Sequence, residues 1–200
     1  IREPVTKQQD ALAALDASLG EALEMLTVAG VPPRVVSGGS TPTLWETHQI
    51  HGVTELRPGT YVFNDRTTAE IGACTWDECA LTVLATVVST AVPGQAVIDA
   101  GSKALGREPL RGADAGGGFG ALLDRPDVVV KGMSEEHGLL DLSRSSWRPR
   151  VGDLVRVVPN HVCIVVHLND MMHGVRGQIV ERSWAVDARG RAATVTPTAG

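Results

Sequence analysis

The chain has 200 residues, 43% hydrophobic and 20% charged, with a formal net charge of −5. That balance marks a globular rather than a disordered chain and argues against a broad basic footprint for nucleic acid or an anionic membrane surface, leaving room for a local basic patch. Three cysteines, Cys74, Cys79 and Cys163, are too few and odd in number for a disulfide framework, so a reducing cytoplasm is the expected compartment.

No apolar run approaches the roughly 18 residues that a spanning helix needs, so no membrane partner is expected. The chain opens on Ile1 without a signal-peptide pattern and reads as part of something longer. Its length suits one domain or two small ones.

The first thirty residues carry Leu12, Leu15, Leu19, Leu23 and Leu26 at three- and four-residue steps, with Asp16, Glu21 and Glu24 between them. This is the pattern of an amphipathic helix. Gly30 and Pro32-Pro33 stop it. A short strand is expected at Arg34 to Val36, followed by the loop Ser37 to Thr43, and a second strand at Thr60 to Phe63. Helix, strand and glycine-rich loop together make an α/β unit with the loop at the carboxyl end of the strand.

Beyond Asp65 the pattern changes. Leu81 to Val88, Gln95 to Asp99, Val128 to Lys131, Asp153 to Val158, His161 to Leu168 and Gln178 to Val186 read as strands separated by Gly, Pro and Asp turns. A boundary therefore falls near residues 66–70: a barrel portion over 1–66, an antiparallel β domain over 67–192, and a tail over 193–200. Gly112 to Gly120 reads as a mobile loop.

Three places can carry chemistry. In the loop around Gly39, Ser40 and Thr41, glycine backbone and two hydroxyls can approach an anion, and a helix starting after Pro42 would point its positive end there. Such a loop suits a phosphate monoester, or is a strand-to-helix turn whose hydroxyls cap the helix. In Asn160-His161-Val162-Cys163, alternate residues of a strand project from one face, so His161 and Cys163 can converge on a metal, with imidazole and thiolate favouring zinc. The alternative is a buried Cys beside a surface His. Glu135-Glu136-His137 is an acid–imidazole pair or a polar turn, and His48 and His51 read as a solvated loop.

Taken together, Ser37 to Thr43, Glu55 to Asp65, Asp99 to Lys103, Glu135 to Gly138, Gly152 to Arg156 and Pro159 to Cys163 resemble the D-serine dehydratase and D-threonine aldolase family. The resemblance implies the C-terminal strands of an alanine-racemase-like (β/α)8 TIM barrel, followed by an antiparallel β domain. It also implies pyridoxal 5'-phosphate held through Gly39, Ser40, Thr41 and Tyr61, and zinc or another divalent metal held by His161 and Cys163. The activity implied is a lyase acting on a D-amino acid, with Cys163 favouring D-serine dehydration to pyruvate and ammonia over D-threonine-aldolase-like cleavage. Racemase chemistry is the weaker option beside a zinc pair, and a non-catalytic phosphate- or metal-binding module is the alternative of another class.

The family's Schiff-base lysine lies on the first barrel strand, and Lys7, Lys103 and Lys131 do not match it. The N-terminal barrel half, as another chain or a cleaved segment, and a homodimer of the full enzyme are the partners implied. Ile164 to His167 departs from the Pro-Thr-Val-Asn that commonly follows the His-x-Cys in this family.

Overall fold

A computed structural model describes residues 7–111 and 117–190. The expected tail, 193–200, and the first part of the expected glycine loop lie outside those residues.

Helix α1 spans Gln9–Val28, as the leucine spacing predicts. Its C-terminus closes at Gly30, with the N–H of Gly30 on the Thr27 carbonyl (3.0 Å) and that of Val31 on the Leu26 carbonyl (2.9 Å). No residue of α1 is buried: Leu15 is 49% exposed and Met25 73%. The helix is held where Asp16 takes the backbone N–H of His51 at 2.6 Å and lies 2.9 Å from its ring, and where Leu23 covers Gly52.

Two strands follow, β1 (Ser37–Gly38) and β2 (Glu55–Leu56), paired in parallel. They correct two expectations. The strand expected at 34–36 begins at Ser37, although the Val36 carbonyl already accepts the N–H groups of Thr54 and Glu55. The segment Thr60–Val62 is a 3-10 turn, despite its β-prone side chains. Gly59 opens that turn, and Asn64, at φ 53, closes it in the left-handed region that Asn tolerates. The helix expected after Pro42 is likewise only a 3-10 turn, Thr41–Thr43, with Pro42 in its first positions.

Helix α2 (Arg66–Glu70) leads into a closed six-stranded antiparallel barrel. Its strands are β3 (Val83–Ser89), β4 (Gln95–Ile98), β5 (Gly120–Leu122), β6 (Arg125–Met133), β7 (Gly138–Asp141) and β8 (Leu154–Pro159), in the order β3-β4-β7-β6-β5-β8. Residues two apart turn inward along each strand: Ala85 and Val87, Ala96 and Ile98, Val128 and Val130, Val155 and Val157 form one core with Leu140. Full burial of one of these valine, isoleucine or leucine side chains contributes roughly 1.5–3 kcal/mol. Closure leaves no free edge. Helix α3 (Ser102–Leu105) lies between β4 and β5.

The strand expected over His161 to Leu168 is a helix, α4 (Val162–Leu168), with His161 as its N-cap residue. The chain leaves the sheet at Asn160, whose carbonyl accepts the Thr67 N–H and whose side chain donates to the carbonyls of Glu108 (3.0 Å) and Gly118 (2.8 Å). The N–H of Val162 turns to Asp65. Val162 and Val165 then bury at helical spacing, so the β-branched residues serve a helix face. A hairpin of β9 (Met171–Arg176) and β10 (Ile179–Ala185) follows. Among the described residues no helix is long and apolar enough to cross a membrane.

Candidate active site

Gly39 turns the chain at φ +82, and a Cβ there would come within 2.9 Å of the Thr47 methyl, so the loop packs on its own following turn. Ser40 is exposed and makes no side-chain capping bond, which removes the capping reading for its hydroxyl. Thr41 is 5% exposed, and its Oγ1 accepts the backbone N–H of Tyr61 at 3.0 Å. That bond leaves the Thr41 hydroxyl hydrogen to be donated. The Tyr61 ring is half exposed. The backbone of Tyr61 meets the loop from the 3-10 turn, not from the strand that the sequence led us to expect.

The second cluster gathers around Asp65, 1% exposed. Its Oδ1 accepts the backbone N–H of Thr68 at 2.8 Å, which caps α2. Its Oδ2 accepts the N–H of Val162 at 3.2 Å and lies 3.1 Å from His161 Nδ1. With Nδ1 so engaged, Nε2 is the ring nitrogen left to bind a metal.

The strand geometry proposed for His161 and Cys163 does not hold, since they are the N-cap and second residue of α4. Cys163 is exposed and free. Burial pushes the Cys79 thiol up to about 12 and that of Cys74 upward as well, so neither is a ready thiolate ligand. Cys163 offers an accessible thiol two residues beyond His161, whose Nδ1 faces Asp65; an open metal site needs few protein ligands, with other positions going to water or substrate. Among the described residues no group of three or more His, Cys, Asp or Glu side chains is placed to hold a metal.

One short segment joins the two clusters. Tyr61 meets Thr41 at its start, and Asp65 meets His161 at its end. Four residue steps span at most about 14 Å, so the backbone at Tyr61, which meets Thr41, lies within that distance of the backbone at Asp65, which meets His161.

The other candidates lie elsewhere. Glu135, Glu136 and His137 are exposed between β6 and β7, and Lys103 pairs with Glu136. Lys131 lies 3.9 Å from Asp141, and Lys7 is exposed. His48 and His51 are exposed. Sequence reasoning missed the roles of Asp65, Arg66 and Asn160. The local signal for Asp65 was that Asp is a preferred N-cap residue type; the Thr68 partner that completes the box is seen only in the structure.

Residues 80–175 match the family described as "Putative serine dehydratase domain". The chain is 39% identical over 158 residues to the D-threo-3-hydroxyaspartate dehydratase of Delftia sp. (strain HT23), covering 72% of this chain and 41% of that protein. It is 32% identical over 173 residues to the D-threonine aldolase of Arthrobacter sp, covering 84% of this chain and 42% of that protein. It is 37% identical over 134 residues to an uncharacterised protein of Mycobacterium bovis, 65% of this chain and 98% of that protein.

Among solved structures, the Delftia dehydratase superposes with a TM-score of 0.78 at 31% identity, over 92% of this chain and 52% of that one. An alanine-racemase-like protein from Idiomarina loihiensis superposes with a TM-score of 0.71 at 26% identity, over 82% of this chain and 46% of that one. Two further structures of a D-threo-3-hydroxyaspartate dehydratase carry alanine for a histidine and for a cysteine two residues apart, and the cysteine variant is in the metal-free form. The chain thus spans about two fifths of the length of the characterised relatives it matches.

Proposed function

Because the chain belongs to the D-serine dehydratase and D-threonine aldolase family, whose C-terminal part it covers, we propose that it serves a lyase acting on β-hydroxy D-amino acids. The observation that carries this reading is the segment 61–65, which ties the hydroxyls near Thr41 to the imidazole of His161. In the proposal, backbone and hydroxyl groups of Gly39, Ser40 and Thr41 hold the phosphate of pyridoxal phosphate, with Tyr61 beside them. His161, through Nε2, and Cys163 hold a divalent metal, zinc by ligand type.

When bound, the cofactor supplies a sink for the charge left at Cα, and the metal supplies a Lewis acid beside the β-hydroxyl. The chain's own residues bind and orient. Gly39 brings backbone close to an anion, and the His161 ring is fixed with one nitrogen outward. Lys103 and Lys131 have carboxylate partners away from this region, so the reading assigns the cofactor-bearing lysine to the rest of the barrel. That portion would also cover the leucines of α1. Free cysteines fit a cytoplasmic setting, and a homodimer is the expected assembly.

Dehydration and retro-aldol cleavage both fit. The two differ in products: an oxo acid with ammonia, or an aldehyde with a smaller amino acid. The intact protein, supplied with pyridoxal phosphate and zinc, is expected to convert D-serine or D-threo-3-hydroxyaspartate to the oxo acid. Cys163→Ser is expected to lose both the metal and the turnover, with its fold unchanged because Cys163 is exposed. A Cys163→Ser protein with full metal content would sink the metal assignment. Metal and phosphate binding without turnover of any D-amino acid would favour the non-catalytic module.

A further inference from the structure

We infer that Asp65 is a positioning residue for the metal site, setting the tautomer and direction of the His161 ring. The inference rests on the metal reading above.

Capping α2 requires one acceptor, and Oδ1 supplies it through the N–H of Thr68 at 2.8 Å. The second oxygen is not needed for the cap. It crosses 96 residues of sequence to meet His161 Nδ1 at 3.1 Å, and it also takes the Val162 N–H at 3.2 Å. A carboxylate 1% exposed is tolerable only with its lone pairs satisfied, and these contacts satisfy both oxygens. Oδ2 already accepts the Val162 N–H, and an accepting oxygen pairs with a protonated Nδ1, which leaves Nε2 as the ring nitrogen with a free lone pair. This is the outer-shell arrangement that fixes ring orientation in metal-binding histidines. The Val162 N–H on the same oxygen fixes the backbone between His161 and Cys163 as well. Asp65 therefore places the backbone of both proposed ligands.

Two substitutions separate positioning from capping. Asp65→Asn keeps an acceptor for Thr68 but turns an NH2 toward His161 Nδ1, which forces the proton to Nε2. Asp65→Ser is a preferred helix N-cap residue whose side chain is too short to reach the imidazole. In the intact protein both are expected to lower zinc affinity about 10- to 100-fold, the usual consequence of losing such a partner. Thr68→Val, which weakens the α2 capping box and leaves Oδ2 in place, is expected to keep zinc affinity within about twofold of the parent.

The direct readout is 15N NMR of the His161 ring in the metal-free protein at a pH where it is neutral, expected to show the Nδ1–H tautomer. That measurement needs no variant to fold. An Nε2–H tautomer, or parent-like zinc affinity in a folded Asp65→Ser protein, overturns the inference. If Cys163→Ser also retains zinc, it is the metal reading that has failed; if only the Asp65 variants retain it, the failure is confined to positioning.

Discussion

Thr41 and Tyr61, twenty residues apart, are joined by a 3.0 Å hydrogen bond from the Tyr61 backbone N–H to the Thr41 hydroxyl. The bond orients a hydroxyl that would otherwise rotate, so its hydrogen can be donated to an anion at the loop. Thr41→Val keeps the shape and removes both roles. It is expected to weaken cofactor binding by about 1–2 kcal/mol, the scale of one charge-assisted hydrogen bond. Titration of the intact protein with pyridoxal phosphate, followed by absorbance, measures it. Unchanged affinity would remove Thr41 from the phosphate site.

Asn160, fully buried, serves the fold more than the chemistry. Its amide donates to Glu108 and Gly118 and accepts from Arg66 at 3.3 Å. The Arg66 guanidinium, whose pKa burial lowers, also donates to the Gly117 carbonyl. Asn160→Leu fills the same space but leaves two carbonyls without this donor. At roughly 1–3 kcal/mol per unsatisfied buried group, the midpoint of chemical denaturation should fall clearly. A loss no larger than that of an exposed-site control such as Arg148→Ala would contradict this account.

The tether of α1 is expected to depend on pH. The hydrogen bond between the side chains of Asp16 and His51 raises the His51 pKa and lowers that of Asp16. A raised histidine contributes fully below its unfolded value of about 6.5 and is lost as pH rises through the folded value. A lowered aspartate contributes above about 3.9 and is lost as pH falls through its depressed value. The tether is therefore strongest between these limits. Limited proteolysis within α1 should speed up from pH 5.5 to pH 9, and His51→Ala should flatten that difference. Equal cleavage rates in the parent at both pH values would show that the pair does not hold the helix.

Protection from exchange should divide along the same line as burial. In the 200-residue polypeptide alone, amides of β3, β4, β6, β7 and β8 are expected to exchange slowly, because their strands close around one core. Amides of α1, with no buried residue, should exchange within seconds to minutes. Slow exchange throughout α1 would mean that its leucine face is already covered, and that the rest of the barrel is not needed there.

The sequence by itself determined the elements whose signals are local. Leucine spacing and Gly30-Pro32-Pro33 determined α1, and alternation in Val83–Ser89, Gln95–Ile98 and Leu154–Pro159 determined barrel strands. The joint order of several short segments determined the family. What it left undecided depended on partners distant in the chain. Val162 to Leu168 is β-branched enough to be a strand, but the Asn160 carbonyl accepts from Thr67 and the Val162 N–H goes to Asp65, so the ladder ends and a helix begins. Thr60 to Phe63 looks like a strand for the same reason and becomes a turn because Thr41 takes the Tyr61 N–H. Asp65 was visible only as the end of a motif; its second oxygen acquires a role because the fold delivers His161 to it. Short-range periodicity records which face of an element is apolar, whereas the acceptor that each polar group finds is decided only when the chain closes on itself.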